Sequence, residues 1–358
     1  MSPGAYVLTR EWFLPIIAAA IIAVGFVTLN SAGTPALVRQ QFIALGLGVA
    51  VVAVVMLLGR HRFMQLANAG YALSIILLLL TMIMGQEVNN AQSWLKLGPL
   101  PRFQPSEIAK IALILALAKA MHNRPLTGIV SYLQPLALIA VPTVFVFMEP
   151  DLGGVLILMA IGLGMILIRG VPWKPLVIAV ALVGVLVPTV VWPRLAPYQQ
   201  QRLLTFLDPA ADPLGSGYQV MQARIAIGSG GLLGKGYRQG TQSQLGFIPE
   251  QHNDFIFPVL AEEGGLVAVL FLLSLYGLLF WRLLAMAPEC PEDRDVLIIS
   301  GATIMVGFQV VVNIGVAIGL APVTGITLPL MSAGGTSLIS TLLVLGIAWT
   351  THRDRFKP

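Results

Sequence analysis

The run from Pro249 to Gly264 joins a polar, glycine-rich stretch to an apolar one that ends near Trp281, and it carries three carboxylates, Asp254, Glu262 and Glu263. A charge taken deep into a membrane helix costs roughly 2.5 to 3.5 kcal/mol on insertion scales. Three acids gathered where the chain passes from water into hydrocarbon therefore mark a site. Asp254 is placed to begin the helix, and Glu262 and Glu263 to interrupt it. A carboxylate at such a boundary loses part of its hydration, which raises its pKa and suits it to accept a proton as a general base.

Two further constellations carry charge into apolar segments. In Gln104 to Lys110, Pro105 and Ser106 punctuate a helix start with Ser106 as its N-cap. Glu107 and Lys110, at i and i+3, then pair across one face. Such a pair either admits both charges to the membrane or serves a ligand directly. In Glu149-Pro150-Asp151, two acids precede an apolar run whose helical N-terminus favours them.

Between these and Asp254 lies a long polar stretch, from Trp192 onward, that holds Arg202 within Tyr198 to Arg202. Tyr218, Met221 and Ile225 recur at i, i+3 and i+7, the stripe of an amphipathic helix lying in the membrane interface, and Gly228-Ser229-Gly230-Gly231 ends it. Gly234-Lys235-Gly236 is not a nucleotide P-loop, because Ser229 and Gly236 stand where that motif needs Gly and Ser or Thr. Backbone amides with Lys235 and Arg238 form either a site for another phosphate or a surface loop.

The elements that must position these residues are membrane helices. Hydrophobic residues make up 57% of the 358, charged ones 10%, and the mean hydropathy is +0.86, against about 25% charged in a soluble domain. The expected fold is an all-α integral membrane protein, one polytopic domain over 1–358. Its roughly ten spans cover Phe13 to Leu29, Phe42 to Leu58, Leu66 to Met84, Ile108 to Ala120, Leu133 to Phe147, Gly153 to Ile168, Pro175 to Val191, Phe255 to Trp281, Leu297 to Ile318 and Ser337 to Trp349. A large extracytoplasmic loop with short amphipathic helices, 192–254, separates the seventh from the eighth. The first span reads as retained, not as a cleaved signal.

With ten spans both termini share a side. That side holds Arg10, Arg60, Arg62, Lys119, Arg124, Arg169, Lys174, Arg282, Arg294, Arg353, Arg355 and Lys357, while short loops opposite hold Arg39, Lys96 and Arg102. Twelve against three puts both termini in the cytoplasm and the long loop outside. The net charge of +5 is explained by basic inner loops facing anionic lipid, so no nucleic-acid partner is implied. Ten of the sixteen acids lie between Glu87 and Glu263, at outer positions. The single cysteine, Cys290, permits no internal disulfide, and the scattered histidines do not suggest zinc.

The segments Gln104 to Lys110, Glu149 to Gly153, Tyr198 to Arg202, Phe206 to Pro209, Gly228 to Gly236, Asp254 to Gly264 and Pro322 to Gly335 occur in the order of the motifs of the SEDS family (shape, elongation, division, sporulation). Along essentially its whole length the chain resembles that family's RodA branch. The resemblance implies about ten spans and a peptidoglycan glycosyltransferase that polymerises lipid II on the outer face of the cytoplasmic membrane, with a role in cell elongation and shape. It also implies that Asp254 is the essential acid, and that the partners are a class B penicillin-binding protein and other elongation-complex membrane proteins. Departures from the family pattern are Ser93 for Arg, with Arg102 a nearby substitute, Glu149 for Gln, Asn253 for Thr and Ala333 for Tyr.

Such a reaction needs one base for a sugar hydroxyl and positive charge for a departing lipid diphosphate. Asp254 is the expected base. The candidate substrate-binding residues are Glu107, Lys110, Asp151, Arg202, Lys235, Glu262 and Ser332. A divalent cation, Mg or Mn, held by the acids is an alternative source of positive charge; no organic cofactor is expected. A lipid-linked precursor flippase remains the alternative reading, since Ala321 to Pro329 resembles a broken helix, and a non-catalytic scaffold is a third.

Overall fold

The computed structural model describes residues 3–88, 91–96, 102–123, 128–171, 177, 181, 184–208 and 215–356. Helices α1 (Pro3–Ala32), α2 (Pro35–Gln65) and α3 (Ala67–Met84) lead to a small antiparallel hairpin, β1 (Gln86–Val88) and β2 (Ala91–Trp94). Then come α4 (Pro105–Met121), α5 (Ile129–Met148) and α6 (Leu152–Ile168). The long loop contains α7 (Pro197–Leu207), α8 (Ser216–Ser229) and the single turn α9 (Thr241–Gln244), and the chain ends with α10 (Ile256–Met286), α11 (Asp293–Ile318) and α12 (Gly335–Arg353).

Six helices among the described residues are long and apolar enough to cross a membrane: Glu11–Ala32, Pro35–Gln65, Ala67–Met84, Val130–Met148, Ile256–Glu289 and Asp293–Ile318. The shorter apolar Leu152–Ile168 accompanies them. Of the expected span Pro175 to Val191, residues 175–176, 178–180 and 182–183 lie outside the described residues, as do Arg124 and Lys174. The hairpin was not expected from the sequence.

Helix α4 is the axis of the bundle. Its residues Leu113, Leu117, Ala118 and Met121 have no exposed surface, and it packs against α3, α5, α6 and α11, while α12 lies along α2. The bundle's periphery is apolar as well: Leu57, Ile83 and Val130 are each more than three-quarters exposed, as lipid-facing side chains are.

Two local expectations need correction. Asp254 does not start α10; it sits in the turn before it, and Phe255 is the N-cap. The interruption of α10 is at Gly265, whose φ of 65° is open to glycine, rather than at Glu262 and Glu263. The break leaves backbone groups without helical partners, and the loop after α8 supplies them. Lys235 and Gly236 amides donate to the Glu262 and Glu263 carbonyls (both 3.0 Å), and the Leu266 amide donates to Gly231 (2.9 Å). The approach is so close that a Cβ on Gly234 would lie 2.1 Å from the Glu263 carbonyl oxygen. In α8, Met221 and Ile225 of the predicted stripe point outward, 47% and 45% exposed, while Ala223 and Ala226 are fully buried and let the helix lie close against α10 and α11.

Candidate active site

A cavity of about 380 Å³ opens at the end of the bundle where α4, α6 and α10 begin. Its walls come from the α4 start, the α5–α6 turn, α7, the 249–255 turn and the non-helical stretch 323–335. Asp254 borders it and is half-buried: enclosed by protein yet reachable from the cavity. Among the described residues nothing donates a hydrogen bond to its carboxylate. Its backbone carbonyl accepts from Asn313 Nδ2 (2.9 Å), which also donates to the Ile326 carbonyl (2.8 Å).

Two more contacts fix that turn. Ser332 Oγ donates to the Asn253 carbonyl (2.7 Å) and accepts from the Leu328 amide (2.8 Å), and the Ala333 amide donates to the His252 carbonyl (2.8 Å). Ser332 thus holds the segment bearing Asp254 and does not line the cavity. Loss of hydration, reinforced by Glu250 and opposed by Arg202, pushes the Asp254 carboxyl up to about 6.

Glu107 and Lys110 do pair, Nζ to Oε1 at 2.7 Å, and both are buried. Ser340 Oγ donates to the other glutamate oxygen (2.5 Å). The α4 N-cap is Gln104, not Ser106, with Pro105 in the first turn; this frees both side chains to turn to Asp151. Asp151 caps α6 by accepting from the Gly154 amide (2.8 Å), and its other oxygen accepts from Gln104 Nε2 (2.9 Å) and Ser106 Oγ (3.4 Å). Burial raises its pKa, and the Gly154 amide, the Lys110 charge and the Ser106 hydroxyl oppose the rise. Beside it Glu149 is almost wholly buried, and among the described residues neither carboxyl oxygen is hydrogen-bonded. Burial first, then the Asp151 charge, push it up to about 8.

Arg202 reaches the cavity from α7, its guanidinium 5.5 Å from the Tyr198 ring centroid and Nη1 3.5 Å from the Val323 carbonyl. Tyr198 Oη and Gln199 Nε2 both donate to the Pro150 carbonyl (2.7 and 3.0 Å), tying α7 to the α5–α6 turn. The cavity therefore brings together Asp254, Arg202, Asp151, Glu107 and Lys110.

Lys235 and Glu262 lie elsewhere, on each other, at 2.8 Å. Glu262 also accepts from the Gln242 and Ser243 amides (2.8 and 3.0 Å), so this pair clips the outer loop to α10. Glu263 accepts from Ser31 Oγ (2.5 Å) and Gln244 Nε2 (3.1 Å). Ser93 lines the cavity and donates to the Glu149 carbonyl (3.2 Å), whereas Arg102 is exposed and does not line it.

Sequence reading missed Gln41 and Gln309. Gln41 lines the cavity and binds the Ser332 carbonyl (2.9 Å) and the Gly334 amide (3.2 Å). Gln309 lines it, its Oε1 without a partner among the described residues. The signal was present: Gln309 and Asn313 are polar residues one turn apart in an apolar span. Among the described residues no three His, Cys, Asp or Glu side chains converge as a metal cage.

The cell cycle protein model covering FtsW, RodA and SpoVE matches residues 9–356. The chain is 44% identical over 292 residues to peptidoglycan glycosyltransferase MrdB of Escherichia coli K12, covering 80% of this chain and 77% of the relative. It is 36% identical over 355 residues to a probable peptidoglycan glycosyltransferase FtsW of Thiomicrospira cyclica, covering 93% and 89%. Among solved structures, a chain of a peptidoglycan synthase complex that coordinates polymerization and crosslinking superposes with a TM-score of 0.86 at 47% identity, covering 97% and 98%. The rod shape determining protein RodA of Thermus thermophilus gives 0.74 at 39%, with the same coverage. This chain belongs to the FtsW, RodA and SpoVE family, the family its motifs resemble.

Proposed function

We infer that this protein is a peptidoglycan glycosyltransferase that polymerises lipid II, with Asp254 as its general base. The family and the names of its relatives support the activity. The observation that carries the role of Asp254 is a half-buried carboxylate, unmatched by any donor among the described residues, facing a cavity that Arg202, Lys110 and Asp151 also line. In the reaction, a sugar hydroxyl of one lipid-linked chain attacks the anomeric carbon of the other. The new C–O bond forms as the bond to the lipid diphosphate breaks, and the hydroxyl proton passes to Asp254. Arg202 and Lys110 offset the charge of the departing diphosphate.

The same reading extends to placement. Ten spans, cytoplasmic termini and an extracytoplasmic loop between the seventh and eighth put the cavity mouth at the outer face of the inner membrane, where lipid-linked sugars lie. A class B penicillin-binding protein is the inferred partner, supported by the likeness to a chain of a synthase complex. Mg is commonly held by one or two carboxylates together with substrate phosphates. Asp254 or Asp151 would be the carboxylate to hold a divalent cation, which would supply positive charge for the leaving group.

The test is purified protein with lipid II and Mg or Mn, read as glycan chains on a gel. Wild type gives polymer and Asp254→Ala and Asp254→Asn give none while remaining folded. Normal polymer from either variant removes Asp254 from the mechanism. Transbilayer movement of labelled headgroup without polymer would establish the flippase reading instead.

A further inference from the structure

At the opposite end of the bundle from Asp254, a second recess of about 380 Å³ opens between α3, α4 and α5. Its shape follows from residue size. Ala116 and Ala120, one turn apart on α4, leave the floor low, and α3 and α5 stand on either side with Asn68 and Gln134. One turn deeper, Tyr71 Oη donates to the Leu138 carbonyl (2.8 Å), bridging α3 to α5 and closing the recess toward the membrane centre. Lys119, in the last turn of α4, lies at its mouth; it is exposed and, among the described residues, has no ion-pair partner.

The surroundings say what such a recess can take. Leu73 and Leu133 on the flanking helices and Leu66 just before α3 are all more than half exposed, so the neighbouring surface is one that hydrocarbon covers. Among the described residues its lining carries the Lys119 ammonium at the mouth and uncharged amide and phenol groups within, with no carboxylate. That is a complement to a phosphate carried on acyl chains. A soluble anion would gain nothing from the apolar rim, and a neutral apolar ligand would leave Lys119 and Asn68 unmet. The recess also lies at the end whose loops carry the excess of Lys and Arg, where basic pockets between membrane helices receive anionic headgroups.

We propose that the recess between α3, α4 and α5 is a binding site for the headgroup of an anionic phospholipid, with Lys119 contacting its phosphate. The site is separate from the cavity at Asp254 and needs no substrate. It fastens the inner ends of three packed helices to one lipid.

The experiment loads the full-length protein from vesicles of equal phosphatidylglycerol and phosphatidylcholine and measures, by native mass spectrometry, the lipid retained through a detergent wash. Wild type retains phosphatidylglycerol preferentially. Lys119→Gln lowers that retention about five-fold, the worth of one basic residue at an anionic surface, and Lys119→Arg restores it. Ala120→Leu, which fills the floor and keeps the lysine, also lowers it. Equal retention of the two lipids overturns the proposal, as does unchanged retention in Lys119→Gln or Ala120→Leu. Displacement of the lipid by inorganic phosphate alone overturns it too. Lys119 and Ala120 are not core residues, and a single symmetric elution peak for each variant verifies that the fold persists.

Discussion

At the end of the bundle away from the cavity, Glu11, Glu289, Glu292, Asp293, Asp295 and Asp354 each face a cation. Arg60 bonds both Asp295 and Glu292, Arg294 bonds Glu292 (2.6 Å), and Arg169 meets Asp293 (2.5 Å). His352 and Arg355 share Glu289, Arg355 lies 3.8 Å from Glu11, and Arg353 holds Asp354. At the cavity end, among the described residues, only Glu107 and Glu262 have a lysine, and Glu250 lies 3.9 Å from His252. Among the described residues, Asp151 is held by neutral donors, the Glu149 carboxyl has no hydrogen-bond partner, and neither Asp254 nor Arg202 forms an ion pair. Charge that is already matched builds a fixed plate, whereas unmatched charge at the cavity retains its capacity to act on a ligand.

Four experiments break or sharpen that contrast. Asp254→Asn should lower polymerisation by about 100 to 10,000-fold, the usual worth of a general base, without lowering the melting temperature. A marked fall in melting temperature would return Asp254 to the structural class. In wild type the rate should also fall as pH drops through about 6, because the base is then protonated.

At the plate the expectation reverses. Asp295→Asn leaves Arg60 short of its buried partner and should cost about 3 kcal/mol of stability, read in thermal unfolding, with turnover per folded molecule unchanged. A large loss of turnover would mean that the two ends are coupled.

The Glu107–Lys110 pair is the intermediate case. Single substitutions strand a buried charge and the double substitution relieves it, so a double-mutant cycle in stability should show a coupling of about 0.5 to 3 kcal/mol. If the double variant is as stable as wild type and still inactive, the pair acts on substrate.

Glu149 is tested through pH. A carboxyl held above its ordinary value stabilises the fold while protonated, and this contribution is lost as pH rises from the ordinary glutamate range through about 8. The melting temperature should decline over that window and level off above it, and Glu149→Gln should flatten the decline. An equally steep decline in Glu149→Gln would assign it to other groups.

Much of this was legible in the sequence because hydrocarbon length and charge cost act locally. Leu66 to Met84 predicts α3 to within a residue, and Gly153 to Ile168 predicts α6 equally well. The Glu107–Lys110 pair was readable for the same reason: i and i+3 are neighbours on any helix. What could not be read depends on distant segments. Glu262 looks like Asp254 in sequence, an acid at a boundary, yet Lys235, 27 positions earlier, neutralises one and leaves the other. The break at Gly265 likewise required knowing that the loop at 231–236 would arrive to satisfy its amides and carbonyls.

Asn313 hands one side-chain amide to the carbonyls of both Asp254 and Ile326, while Ser332 and Ala333 reach across to Asn253 and His252. The residues around Asp254 are thus not a portable cassette. A chimera that imports 249–255 from a relative should keep the aspartate in register only if 322–335 and the residue at position 313 travel with it, so the three pieces must be exchanged as a unit.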